Sequence, residues 1–188
     1  KIGSGFYYEV GTNMTYYNNL YVKNQGEALS DLKNPYKRST HQTDYYGIMY
    51  MDNGLYQTPE QVLGVPRRLQ SSATKLGDIA YEDINGDGKI DGEDQVRWGM
   101  PSAPHFTYGF DFVLGYKGFT LSGLLYGTGK RNMEFGVTTK KNEAIWVLND
   151  YQLDYWREDN RDATFPRISL EALPNGSNNQ AASTFWVK

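Results

Sequence analysis

The sequence has no cysteine, which excludes disulfides, zinc–thiolate sites and thiol nucleophiles. Its only histidines are His41 and His105, which offer little for a metal triad or an acid–base dyad and are read as loop residues. No apolar run approaches the roughly 20 residues that a membrane-spanning helix needs. Charge of one sign is also lacking. With 19 Lys and Arg against 22 Asp and Glu, the net charge is -3, and there is no basic footprint for nucleic acid. The chain opens on Lys1 with neither an initiator methionine nor a signal peptide, so it is expected to be a piece of something longer or a processed product. Tyrosine and glycine are abundant, at 16 and 20 of 188 residues, and aromatics make up 15%. That load suits exposed β-structure, aromatic girdles, or a surface that binds sugars or peptides.

One stretch carries a specific chemical pattern: Asp83-Ile84-Asn85-Gly86-Asp87-Gly88-Lys89-Ile90-Asp91-Gly92-Glu93-Asp94. Oxygen-bearing side chains recur at alternate positions, and Gly88 stands sixth, where the chain must turn sharply. This is the spacing of an EF-hand-type calcium loop. A hard cation takes six to eight oxygen ligands, and alternate carboxylates and amides let one short loop wrap it. Asp83, Asn85 and Asp87 would supply side-chain oxygens, Lys89 its backbone carbonyl, Asp91 a water-mediated contact, and Asp94 would close the site. Asp94 is one methylene shorter than the usual Glu at the twelfth position. Ile90 would point inward and anchor the loop. The competing reading is an Asp/Asn/Gly-rich turn that holds no metal. Gly77 before the loop and Trp98-Gly99-Met100-Pro101 after it leave no room for two flanking helices, so a sensor EF-hand is not expected.

The fold class expected is all-β, a partial transmembrane antiparallel β-barrel with long outer loops, one short helical region and the calcium loop. Over residues 6–17, Phe6, Tyr8, Val10, Thr12, Met14 and Tyr16 share one parity, and Tyr7, Glu9, Gly11, Asn13, Thr15 and Tyr17 the other. That two-residue period predicts a strand with one apolar and one polar face. The same alternation predicts a hairpin of strands 106–116 and 119–128. Lys117-Gly118 would form its tight turn, Gly118 taking the positive φ. A short strand is expected within 45–51. Thr58 is expected to cap a helix starting at Pro59, with Pro66 ending it. A helix is expected over 142–156, and the opening of a strand at Thr184-Phe185-Trp186-Val187.

Loop lengths give a topology. Outer-membrane barrels have short periplasmic turns and long outer loops. The Lys117-Gly118 turn would therefore be periplasmic, and 18–105 and 129–183 would be outer loops. That puts the calcium loop outside the cell, where calcium is plentiful.

Several segments in order resemble the SusC/RagA family of TonB-dependent outer-membrane transporters. They are Tyr45-Tyr46-Gly47 with Asp52-Asn53-Gly54-Leu55-Tyr56-Gln57, and Gly77-Asp78-Ile79 running into the acidic loop. Pro104-His105-Phe106-Thr107-Tyr108-Gly109-Phe110 with Tyr116-Lys117-Gly118-Phe119 follows. Tyr155-Trp156-Arg157 with Asp159-Asn160, Phe165-Pro166-Arg167 and Ser183-Thr184-Phe185-Trp186 complete the set. Their order and spacing are similar to the late barrel region of that family, and residues 1–35 match only as strand plus loop. The resemblance implies a large barrel energised through TonB that imports oligosaccharides or peptides beneath a SusD-like surface lipoprotein. The TonB-contacting segment and the plug are missing from these residues, so the chain is expected not to transport alone.

The alternative is a secreted, calcium-stabilised carbohydrate-binding module. An enzyme is not expected. Asp150 and Asp154 could pair on one helix face, but such carboxylates are more often a solvated face, and a glycosidase needs a tuned pair. Lys130-Arg131 and Lys140-Lys141 are read as solvated or lipopolysaccharide-facing loop charge. Trp98, Trp146 and Trp156 are read as packing the loops' own small core.

Overall fold

The computed structural model describes residues 5–64, 67–68, 74–134, 150–168, 179 and 181–188. In chain order the strands are β1 (Phe6–Tyr16), β2 (Leu20–Tyr21), β3 (Gln42–Thr43), β4 (Gly47–Tyr50), β5 (Asp52–Leu55), β6 (Arg67–Arg68), β7 (Ile79–Tyr81), β8 (Lys89–Ile90), β9 (Gln95–Trp98), β10 (Phe106–Tyr116) and β11 (Phe119–Gly129). The short helices are α1 (Leu29–Lys33) and α2 (Pro59–Gly64). The fold is all-β in class, with little helix.

The principal sheet is three-stranded, in the order β1-β10-β11, antiparallel throughout. All three strands are 11 residues long and pair in full register, from Phe6 opposite Tyr116 to Tyr16 opposite Phe106, and from Tyr116 opposite Phe119 to Phe106 opposite Gly129. Directly paired residues share a face, so the alternation in the sequence becomes two continuous surfaces. One carries Tyr8, Val10, Met14, Tyr108, Phe110, Phe112, Leu114, Leu121 and Leu125. The other carries Glu9, Asn13, Thr107, Asp111, Thr120 and Ser122, with Tyr7, Val113, Leu124 and Tyr126 as its apolar or aromatic exceptions. Aromatics bracket the apolar face: Phe6, Tyr116 and Phe119 at the turn end, Tyr16 and Phe106 at the other. Two gaps in that face are filled from the neighbouring strand. The Phe112 ring lies against Gly123 and the Tyr108 ring against Gly127, where any Cβ would collide with it. The sheet is open, since β1 and β11 pair only with β10 among the described residues.

The β10–β11 turn has positive φ at both central residues, 46° at Lys117 and 88° at Gly118. This is the primed geometry whose twist matches that of the flanking strands. At the opposite end, β1 and β10 are joined by residues 17–105, which fold into a layer of small sheets. β4 pairs antiparallel with β9, β5 antiparallel with β7, β2 antiparallel with β3, and β6 parallel with β8. The core lies here rather than on the principal sheet. Tyr50, Ile79, Tyr81, Ile90, Ala181 and Trp186 pack together, with Leu55, Phe165 and Phe185 against them. Ile79 and Ile90 are 0% and 1% exposed, and each contributes about 2–3 kcal/mol by burial. A buried polar node supports them. Asp78 pairs with Arg167 at 2.7 Å and accepts from Asn179 Nδ2 at 3.1 Å, while Asn179 Oδ1 accepts from the Ile79 amide at 2.9 Å.

The Thr58 cap forms as the sequence predicts. Its hydroxyl accepts from the Gln61 amide at 3.3 Å, and Gln61 Oε1 accepts from the Thr58 amide at 3.1 Å, a reciprocal capping box. Pro66 and most of the helix expected over 142–156 lie outside the described residues. The described end of that helix, Asp150–Leu153, is a single 3-10 turn, and Tyr155 bridges to Phe165 in extended backbone. The strand expected at 184–187 is replaced by a 3-10 turn over Thr184–Trp186. Trp186 explains the change: its Nε1 donates to the Asn179 carbonyl at 2.8 Å, and its ring packs on Phe165 and Phe185. Its apolar surface is buried within the loop layer. Trp156 is likewise buried and donates to Gln57 Oε1 at 2.9 Å.

Candidate functional site

The acidic loop runs from the end of β7 through β8 to a 3-10 turn at Gly92–Asp94 and into β9. It is flanked by strands, as the short spacers on either side require. Ile90 is its anchor, buried in the core beside Ile79 and Trp186. Gly88 has φ 81°, the left-handed conformation that a side chain at that position would strain.

The loop's oxygens are arranged around its own amides. Asp83 accepts from Gly86 at 2.7 Å, Asp87 at 3.2 Å and Gly88 at 2.8 Å. Asn85 Oδ1 accepts from the Asp87 amide at 2.9 Å, and Asp87 Oδ1 from the Lys89 amide at 2.9 Å. Asp91 caps the 3-10 turn by accepting from the Glu93 amide at 2.8 Å. Asp94 is 0% exposed. Its Oδ1 accepts from Ile84 at 3.0 Å and Asn85 at 3.4 Å, and its Oδ2 from Asp91 at 2.8 Å. Asp94 thus ties the two ends of the loop together through backbone amides. Glu93, which the sequence pattern leaves without a role, pairs with Lys37 at 3.1 Å. That partner comes from a segment too distant for any local spacing to reveal.

The donor set suits a hard cation in type and in spacing. A carboxylate offers about four lone-pair sites, and Asp87 commits only one oxygen to the loop. Asn85 and Asp87 are exposed, and Asp83 and Asp91 are half-buried. Convergence is a different matter: among the described residues, no three His, Cys, Asp or Glu side chains gather about one point. In this conformation the loop's side-chain oxygens cap its own backbone amides.

Asp150 opens the 3-10 turn, and Asp154 follows directly after it. Asp154 accepts from the Thr164 amide at 3.0 Å and from Asn160 at 3.1 Å. These bonds, Thr164 first, hold its carboxyl below the usual carboxylate range. His105 is a loop residue, as expected, and it is buried. It lies edge-on to Tyr17 at 4.9 Å where β1 leaves the sheet, and its carbonyl accepts from the Tyr17 amide.

No protein-family model matches the chain, and no curated protein matches it.

Proposed function

We propose that the chain is part of the wall and outer loops of an outer-membrane β-barrel, a TonB-dependent nutrient importer of the SusC/RagA type. It would take up oligosaccharide or peptide with a SusD-like lipoprotein as its surface partner. The observation that carries this reading is the three-stranded sheet. It has one continuous apolar face, exposed and bracketed by aromatic rows. At about 3.3 Å per residue, strands of 11 residues tilted by about 45° rise about 25 Å, the height of the lipid-facing band of such barrels. A soluble domain would cover a face this apolar. The tight turn at one end and the long folded insertion at the other match the periplasmic and outer sides of a barrel. An open sheet in lipid leaves backbone groups unpaired at several kcal/mol each, so further strands from the same protein would complete the wall.

Within the outer layer, calcium at Asp83, Asn85, Asp87, the Lys89 carbonyl, Asp91 and Asp94 would stiffen the loop against the core that Ile90 anchors. The loop's donor types and the Gly88 turn support this. The secreted carbohydrate-binding module remains the second reading, favoured only by the folded core of the loop layer.

Phe112→Arg in the full-length protein tests the wall. A lipid-facing residue near the bilayer midplane should lose about 2–4 kcal/mol of stability, read as unfolding by denaturant in lipid vesicles. Unchanged stability and folding yield would contradict the assigned face.

A further inference from the structure

The segment 34–45 folds against β9 and leaves an open cleft of about 270 Å³ between them. Tyr36, Arg38, Asp44, Tyr45, Arg97 and Trp98 are among its walls. Arg97 is held rigidly. Its amide donates to the Tyr36 carbonyl at 2.9 Å, its Nη1 to the Arg38 carbonyl, and its Nη2 to the Thr43 carbonyl at 3.2 Å. Its guanidinium lies 3.8 Å from the centre of the Tyr45 ring. Arg97 Nε and Arg38 Nε have no acceptor among the described residues, but both atoms are closed off from solvent, so an anion in the cleft would be met by the outer Nη atoms.

Asp44 stands in the same cleft. Its carboxylate accepts from Asn19 Nδ2 at 2.6 Å and from the Tyr21 hydroxyl, a bond that raises the Tyr21 pKa ahead of Asp44's charge. Two guanidinium groups and one committed carboxylate leave the cleft with one net positive charge. Guanidinium forks match planar carboxylates, and Asp44, fixed in place, opposes any dianion. Tyr36 and Trp98 add aromatic surface, and the volume is that of one sugar ring or two amino acids.

We propose that this cleft binds a small organic monoanion through its carboxylate, between Arg38 and Arg97. The inference goes beyond the transporter reading and stands without it, because the cleft belongs to the loop layer whatever the sheet spans. A carboxylate of this size comes from a uronic acid or from the C-terminus of a short peptide. Calorimetric titration of the full-length protein in detergent separates them, with galacturonate against galactose and a dipeptide against its C-terminal amide. At least one free acid should bind, and its neutral counterpart should bind at least about tenfold more weakly. Which acid binds identifies the source. Arg38→Gln should weaken the same acid by about tenfold with an unchanged circular dichroism spectrum. Equal binding of acid and neutral forms would overturn the proposal, as would binding of neither acid up to ~10 mM or equally tight binding of inorganic phosphate. The comparison of acid and neutral ligand needs no variant, so it decides even if Arg38→Gln fails to fold. A negative result would leave the strand alternation that carries the transporter reading untouched.

Discussion

Asp94 is a carboxylate with no exposure to solvent, and it is tolerated there because three backbone amides donate to it. Asp87 is its opposite, exposed and bonded only to the Lys89 amide. Replacing Asp87 should therefore cost the metal-free loop little and a metal-bound loop a great deal. In the parent protein, calcium should protect residues 77–99 from protease, and Asp87→Ala should abolish that protection. Equal protection of the parent with and without chelator would sink the calcium assignment. A second carboxylate makes a pH prediction. Glu27 accepts from the Thr40 hydroxyl at 2.5 Å, the Thr40 amide at 3.1 Å and the Ser39 amide. The Thr40 hydroxyl first, then the Ser39 amide, hold its pKa below the usual value. A depressed folded pKa stabilises above the unfolded value, about 4.3, and the stabilisation is lost as pH falls through the folded value. Protection of the Thr40 amide, corrected for intrinsic exchange, should stay constant at neutral pH and decline only below about pH 4. A decline on raising the pH would contradict this.

Among the elements, the β10–β11 hairpin depends on a turn in which both Lys117 and Gly118 have positive φ. Gly118→Val should cost about 1–2 kcal/mol, because a side chain in the left-handed region meets its own backbone. The loss should appear in the equilibrium unfolding of the full-length protein, and Gly118→Asn should recover part of it. A Val variant as stable as the parent would mean the turn is not of the primed type. The hairpin and β1 were legible in the sequence because alternation and the Lys-Gly turn are local signals. The pairing of β1 with β10 across residues 17–105 follows from matched length and matched parity. The carboxy-terminal Thr184-Phe185-Trp186-Val187 misled for a physical reason: a β-branched and aromatic stretch reads as strand, but Trp186 finds its partners in Asn179 and Phe165. The Arg38–Arg97 cleft was invisible, since the two residues come to line one cleft only through the fold of the loop layer.

The whole molecule divides its apolar residues between two destinations. One set, around Ile79, Ile90 and Trp186, builds a small closed core in the loop layer. The other set, from Val10 and Met14 to Leu121 and Leu125, stays exposed on one face of the principal sheet. The account turns on what that face meets. The chain has no cysteine, and single cysteines can be placed along β10, at residues 106–116, in a full-length protein free of other cysteines and spin-labelled in lipid vesicles. Collision with oxygen dissolved in the lipid should peak at positions 108, 110, 112 and 114, and collision with a water-soluble nickel complex at positions 107, 109, 111 and 113. That two-residue alternation is the predicted result. Water accessibility at every position, or no alternation, would contradict the membrane wall and leave only a soluble sheet with an uncovered face.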